Sequence, residues 1–115
     1  PQTVAVLLAD FPSMAAAGDA VRRITQAGVL PAGLEIMDHT CIAAVNAAFE
    51  REEYPADAGA VLLIELDGQT QEVKEAVALT SALCREAGAG GLREAWDEAE
   101  RARLESLRNK KGGEP

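Results

Sequence analysis

The chain has 115 residues, 48% of them hydrophobic, and a formal net charge of −8. That length allows one domain with one modest core, and the acidic balance argues against binding a nucleic-acid backbone, which relies on Lys and Arg. No apolar run approaches the roughly 18 residues of a membrane span and no signal peptide opens the sequence, so we expect a cytoplasmic protein without a transmembrane segment.

The first half of the chain predicts two strands, each followed by a helix. Residues 3–11 form an apolar run rich in branched side chains, which is typical of a buried strand. Ser13 is placed to cap a helix that ends at Gly28, since glycine accepts the left-handed conformation at low cost. Residues 31–38 predict a weaker strand, and residues 39–52 predict a short helix.

The second half of the chain repeats this order. Residues 60–66 form a second strongly apolar strand, which we expect residues 67–68 to close. A long helix with an apolar stripe at helical spacing follows it. Residues 90–96 predict a fourth strand, and Asp97 is expected to cap a last helix that runs to about residue 108.

This succession predicts an α+β fold of the ferredoxin-like kind, a duplicated β-α-β unit with a mainly antiparallel four-stranded sheet. Residues 4–8 and 61–66 are expected in the central strands, with the helices on one face. The opposite face is then expected to be open, as an interface or a ligand wall. An open parallel α/β sheet is the alternative, weakened because residues 10–13 lack the glycines of a phosphate-binding loop.

The residue types that carry chemistry do not add up to a catalytic or metal site in the sequence. His39 follows Asp38, but Asp38 is better explained as a helix cap, and no nucleophile is placed to complete a triad. A single histidine without a cysteine pair predicts no zinc site. Cys41 and Cys84 lie in apolar helical stretches, so we interpret both as small core residues.

Six segments in collinear order carry a pattern that covers nearly the whole chain. They are LLADFPS (7–13), AAGDAV (16–21), LEIMD (34–38), LIELDG (63–68), LCREAG (83–88) and DEAERARL (97–104). Together they resemble the C-terminal (cap) domain of FAD-linked oxidases of the glycolate oxidase and D-lactate dehydrogenase family. The resemblance implies a substrate-side domain, in a protein whose separate N-terminal domain binds FAD and which oxidises small 2-hydroxy acids.

The resemblance also implies one substrate-binding residue. The family pattern has Leu-Trp, two further residues and then an Arg that meets the substrate carboxylate, a role suited to a bidentate guanidinium. Leu104 and Arg108 match this pattern, whereas Glu105 stands where Trp is expected. Arg108 is therefore the implied substrate anchor, and a cation that simply ends a helix is the alternative.

The chain opens on Pro1 and enters a strand almost at once, which predicts a piece of a longer protein. We expect residues 1–108 to be part of the cap domain and residues 109–115 to be a flexible tail. The expected partners are the FAD-binding domain of the parent protein and a small 2-hydroxy acid, and no cofactor is expected on these residues themselves. The alternative is a free-standing ferredoxin-like regulatory or ligand-binding module that forms a homodimer through its open sheet face.

Overall fold

The structure is a computed structural model that describes residues 2–49 and 53–108, with only the backbone of the last two. The expected flexible tail, residues 109–115, lies outside the described residues, so that prediction stays untested. The elements in chain order are β1 (Gln2–Phe11), α1 (Met14–Gln26), β2 (Gly33–Asp38), α2 (His39–Ala48), β3 (Ala60–Gln69), α3 (Thr70–Glu86), β4 (Gly91–Ala95) and α4 (Glu98–Arg108).

The four strands form one sheet in the order β2-β3-β1-β4. All three neighbouring pairs are antiparallel, and β1 pairs with β3 along its full length, from Gln2 opposite Gln69 to Phe11 opposite Ala60. The two most apolar runs therefore occupy the centre of the sheet, as the sequence predicts. The ferredoxin-like α+β prediction is confirmed, and the parallel-sheet alternative is wrong.

Strand β3 is longer than the sequence predicts. The sequence signal for its end lies at residues 67–68, but the strand continues to Gln69 because β1 begins at Gln2 and offers backbone partners that far. Gly68 pairs opposite Thr3 with a φ of +143°, a conformation that L side chains rarely adopt. Glycine here therefore allows the strand to continue where it usually marks an end.

The two long helices, α1 and α3, pack on one face of the sheet. Ser13 caps α1 as predicted, accepting a hydrogen bond from the Ala16 amide at 3.1 Å. Small side chains on α1, such as Ala17 and Ala20, are fully buried and allow close approach to the sheet. Among the described residues, no helix combines the length and the apolar character needed to cross a bilayer.

The other face of the sheet is also covered, which corrects the expectation of an open surface. The apolar side chains at its centre are between 0 and 4% exposed; they include Val6, Leu8, Met37, Val61 and Leu63. The cover comes from Ile42 and Val45 of α2, Leu104 of α4, and Tyr54 and Ala58 of the segment between α2 and β3. The short helices α2 and α4 pack on this face of the sheet, and their buried side chains form a second core with it.

Candidate functional site

The residues that the sequence singled out for acid–base chemistry have structural roles. The Asp38 carboxylate accepts a hydrogen bond from the Cys41 amide at 2.9 Å, which caps α2 and lowers the pKa of Asp38. His39 Nδ1 lies 3.1 Å from the Ala58 carbonyl oxygen and donates to it when that nitrogen is protonated. Both residues thus fix the start of α2, and His39 also holds the segment that follows this helix.

The cysteines lie where core residues are expected, and neither forms a disulfide. Cys84 is fully buried between α3 and the sheet, and this burial raises the pKa of its thiol to about 11. Cys41 is half-buried beside the second core. Within residues 2–49 and 53–106, no three His, Cys, Asp or Glu side chains come together as ligands for a metal ion.

Arg108 is the last residue of α4. Its side chain lies outside the described residues, so its contact with a substrate stays a prediction. Leu104, the family-pattern residue four positions earlier, is buried against the second face of the sheet. The position of the helix that carries Arg108 is therefore set by packing.

A cluster of polar side chains lies where β1, β4, α4 and the segment after α2 meet. We call Asp10, Glu53, Tyr54, Arg93 and Arg103 the Arg93 cluster. Arg93 donates to the Glu53 carbonyl oxygen at 3.3 Å, and its guanidinium carbon lies 5.8 Å from the centroid of the Tyr54 ring, within cation–π range. Arg103 donates to the Glu53 carboxylate at 2.8 Å, so two arginines hold one residue.

Asn46 of α2 holds the backbone of Glu53 and Tyr54 in place. Its side-chain oxygen accepts hydrogen bonds from the amides of Glu53 and Tyr54 at 2.8 and 3.1 Å, and its side-chain nitrogen donates to the Tyr54 carbonyl at 3.1 Å. These three backbone groups belong to a segment without regular structure. A single amide side chain thus satisfies backbone groups that a strand or helix would satisfy internally.

Asp10 closes the other side of the cluster. Its carboxylate accepts a hydrogen bond from the Gly91 amide at 3.2 Å, yet burial outweighs that bond and raises the pKa of Asp10. A Cβ atom at Gly90 or Gly91 would lie 2.9 or 2.7 Å from a carboxylate oxygen of Asp10. The glycines that follow α3 therefore make room for a carboxylate, a role that their sequence position does not reveal.

A cavity of about 160 Å³ lies between these groups, lined by Asp10, Glu53, Tyr54 and Arg93 together with apolar residues. The Tyr54 hydroxyl is buried and has no hydrogen-bond partner within the described part of the chain, and burial raises its pKa well above the ordinary value. The phenol therefore stays neutral. The cavity offers one guanidinium beside carboxyl groups, which suits a small polar group and provides no nucleophile–base pair.

The described residues do not fit FAD. The turn between β1 and α1 contains Pro12, which has no amide hydrogen to offer a phosphate. The cavities of about 160 and 190 Å³ are smaller than the roughly 300 Å³ at which pockets for larger ligands begin. The described linings of the two wider grooves contain carboxylates and no Lys or Arg, so they would repel a diphosphate.

Comparison with protein families gives a match over nearly the whole chain. Residues 1–112 match the family described as FAD linked oxidases, C-terminal domain. The matched range contains every element of the sheet and both helical layers. This agrees with the resemblance carried by the six collinear segments.

Curated proteins similar in sequence include the following three. The chain is 45% identical over 104 residues to glycolate oxidase subunit GlcD of Escherichia coli K12, covering 90% of this chain and 21% of that protein. It is 32% identical over 108 residues to GlcD of Bacillus subtilis, covering 94% and 23%. It is 31% identical over 109 residues to a Danio rerio protein named "Probable D-lactate dehydrogenase, mitochondrial", covering 95% and 21%. The chain spans about a fifth of the length of these relatives.

Solved structures give the same fold at low sequence identity. Two crystal forms of alkyldihydroxyacetonephosphate synthase superpose with TM-scores of 0.64 and 0.60, at 16% and 12% identity. Each superposition covers 95% of this chain and 22% of the solved chain. These similarities support the fold alone and carry no argument about the chemistry of this chain.

Proposed function

Because the chain belongs to the family of FAD-linked oxidase C-terminal domains, we propose that it is part of the substrate-side cap domain of an FAD-dependent 2-hydroxy-acid oxidase or dehydrogenase, of the glycolate or D-lactate type. The observation that carries the proposal is the family match over residues 1–112, with 45% identity to a glycolate oxidase subunit. The activity belongs to a longer protein, since the relatives are four to five times the length of this chain.

In this proposal a partner domain would hold FAD, which would supply the two-electron oxidant for the C2 alcohol of the hydroxy acid. The chain's own contribution is a rigid wall, because both sheet faces are packed with buried side chains. We further propose that Arg108 binds the substrate carboxylate through two parallel hydrogen bonds. This role rests on the family pattern and on the buried Leu104, which fixes α4 on the sheet.

The test is to express the full reading frame that contains this segment and to follow its flavin absorbance. We expect a yellow protein whose flavin is reduced on addition of glycolate or D-lactate, and a colourless 115-residue chain. A full-length protein without flavin, or turnover by the isolated chain after removal of contaminants, would contradict the proposal.

The role of Arg108 needs a separate experiment in the same full-length protein. Arg108→Gln should raise KM for the hydroxy acid by tenfold or more, on the order expected when a charged pair loses about 1.4 kcal/mol or more of binding energy. Flavin content should not change. Arg22→Gln, an exposed arginine on α1, is the control. An Arg108→Gln variant with the wild-type KM would show that Arg108 does not bind the substrate carboxylate.

No observation favours the free-standing dimer as a second candidate. The sheet face through which it was expected to associate is occupied by α2, α4 and residues 53–58 of the chain itself. The cytoplasmic location also stays a prediction, and fractionation of cells that express the full reading frame would test it.

A further inference from the structure

A groove lined by both apolar side chains and carboxylates lies between the end of α1 and the first half of α3. Its volume is about 460 Å³, and its lining includes Val29, Leu30, Ala76 and Leu79. Leu30 is 91% exposed and Leu79 is 42% exposed, although both are large apolar side chains. Exposed leucines that share a groove mark a contact surface more specifically than scattered ones do.

The charged side chains that line this groove all carry the same sign. Asp67, Glu72 and Glu75 line it, and its described lining contains no Lys or Arg. Glu72 accepts a hydrogen bond from the Gln69 amide and Glu75 from the Gln71 side chain, neither of which neutralises a carboxylate. The groove therefore presents two exposed leucines beside carboxylates, and we call these carboxylates its acidic rim.

We propose that this groove is the docking site for a segment of the longer polypeptide, outside residues 1–115, that carries apolar side chains next to Lys or Arg. The inference rests on the proposed function, since the sequence relatives have about four fifths of their length outside the matched region. A basic and apolar segment complements both properties of the groove.

A second copy of this chain fits the groove less well. Two copies related by a two-fold axis through the groove would place the same surface on both sides of the contact. Asp67, Glu72 and Glu75 of one copy would then lie near the same residues of the other, and like charges across an interface oppose association. The charge pattern thus points to a different surface as the occupant.

The first experiment compares the double variant Leu30→Ser/Leu79→Ser with wild type in the full-length protein. The amides of Ala27, Gly28 and Val29 already donate to carbonyl oxygens of α1. Hydrogen exchange at 27–30 should therefore be at least tenfold slower in the wild-type full-length protein than in the 115-residue chain, and at least tenfold faster in the full-length variant than in the full-length wild type. The melting temperature of the full-length variant should fall by about 3 °C or more, whereas the 115-residue chain should lose less, because both leucines are exposed in it. Exchange at 27–30 that is equally fast in the wild-type full-length protein and in the 115-residue chain would overturn the proposal.

Met14→Ser is the matched control. Met14 is an exposed apolar residue at the opposite end of α1, about 20 Å from the groove along a 13-residue helix. It should leave exchange at 27–30 unchanged. A dimer of the 115-residue chain that dissociates on Leu30→Ser/Leu79→Ser substitution would overturn the proposal in favour of a second copy.

A charge variant tests the rim. Asp67→Lys/Glu75→Lys in the full-length protein should speed exchange at 27–30 at low salt, because a basic segment would then be repelled. Unchanged exchange would contradict the charge argument. Failure of the proposed function can be distinguished from failure of the docking proposal. A full-length protein that binds no flavin would contradict the oxidase assignment. If its amides at 27–30 were still protected from exchange in a way that depends on Leu30, the docking site would stand.

Discussion

Arg103 of α4 donates a hydrogen bond to the carboxylate of Glu53 across 2.8 Å, joining two residues that are 50 positions apart. The Glu53 side chain is 2% exposed, whereas that of Arg103 is 43% exposed. A carboxylate removed from water to this degree needs charged or hydrogen-bonded partners to remain ionised at low cost. The pair therefore attaches α4 to the segment that covers the second face of the sheet.

Arg103→Met should lower the free energy of unfolding by about 1.5–3 kcal/mol, because a buried carboxylate loses a charge-assisted hydrogen bond. Urea denaturation at pH 7 would measure the change. Glu53→Met/Arg103→Met should be less destabilised than Arg103→Met alone, since no buried charge is left without its arginine. Arg22→Met, which removes an ion pair to Asp19 at the surface, is the control and should change little. Equal losses for the Arg103 and Arg22 variants would contradict this account.

The second core leads to a prediction for strand β2, whose two opposite faces differ in burial. Met37 is fully buried against α2, while Leu34, on the other face of the strand, is 39% exposed. Met37→Ala should cost about 2–5 kcal/mol of unfolding free energy, through lost burial and a cavity. Leu34→Ala should cost clearly less. Similar losses for the two variants, measured by urea denaturation, would mean that the second face is not a packed core.

The order of strands and helices could be predicted because its signals are local. Apolar runs mark the two central strands, and capping residues mark the helix starts: Asp97, for example, accepts from the Glu100 amide at 2.7 Å. The end of β3 could not be predicted in the same way. It depends on where its partner strand begins, so the tertiary pairing overrides a local turn signal.

The covered second face and the Arg93 cluster were not predictable for a different reason. Helix α4 is rich in charge, and its described side chains contribute one buried residue, Leu104, to the second core, so its pattern resembles a solvated helix. The contact of Arg103 with Glu53 bridges segments far apart in the chain, and Asn46 acts on backbone atoms that have no sequence signature. In these cases the contacts form only when distant segments come together in the folded chain, so no local sequence pattern predicts them.

Alanine substitutions at Gly59 and Gly18 should change the free energy of unfolding in opposite directions. A Cβ atom at Gly59 would lie 2.5 Å from the Pro12 carbonyl oxygen and 2.7 Å from the Ser13 Cα, both backbone atoms. Gly59→Ala should therefore lower the free energy of unfolding by about 1–3 kcal/mol through overpacking. Gly18, inside α1, has nothing within 4 Å of such an atom, so Gly18→Ala should raise it by about 0.5–1 kcal/mol. Thermal unfolding of both variants would test this, and a stabilising Gly59→Ala would refute the close approach.

The carboxyl groups Asp10 and Asp38 should give pH dependences of opposite sign. Burial raises the pKa of Asp10 above its ordinary value of 3.8, so the folded state binds that proton more tightly than the unfolded state does. Stability from Asp10 is therefore present below pH 3.8 and is lost as the pH rises through the raised pKa. The Asp38 pKa is lowered by the Cys41 amide, so its stability is present above pH 3.8 and is lost as the pH falls through the lowered pKa.

Asp10→Asn and Asp38→Asn isolate these effects, because each amide keeps an oxygen that can accept from the neighbouring backbone amide. Unfolding free energies measured between pH 2.5 and about 6.5 should be subtracted from the wild-type values, which cancels the titration of all other groups. As the pH rises from 3.8, Asp10→Asn should gain stability relative to wild type. As the pH falls below 3.8, the disadvantage of Asp38→Asn should shrink. A flat difference curve for Asp10→Asn would mean that its carboxyl is as well solvated folded as unfolded, and the cavity beside Arg93 would then be open to water.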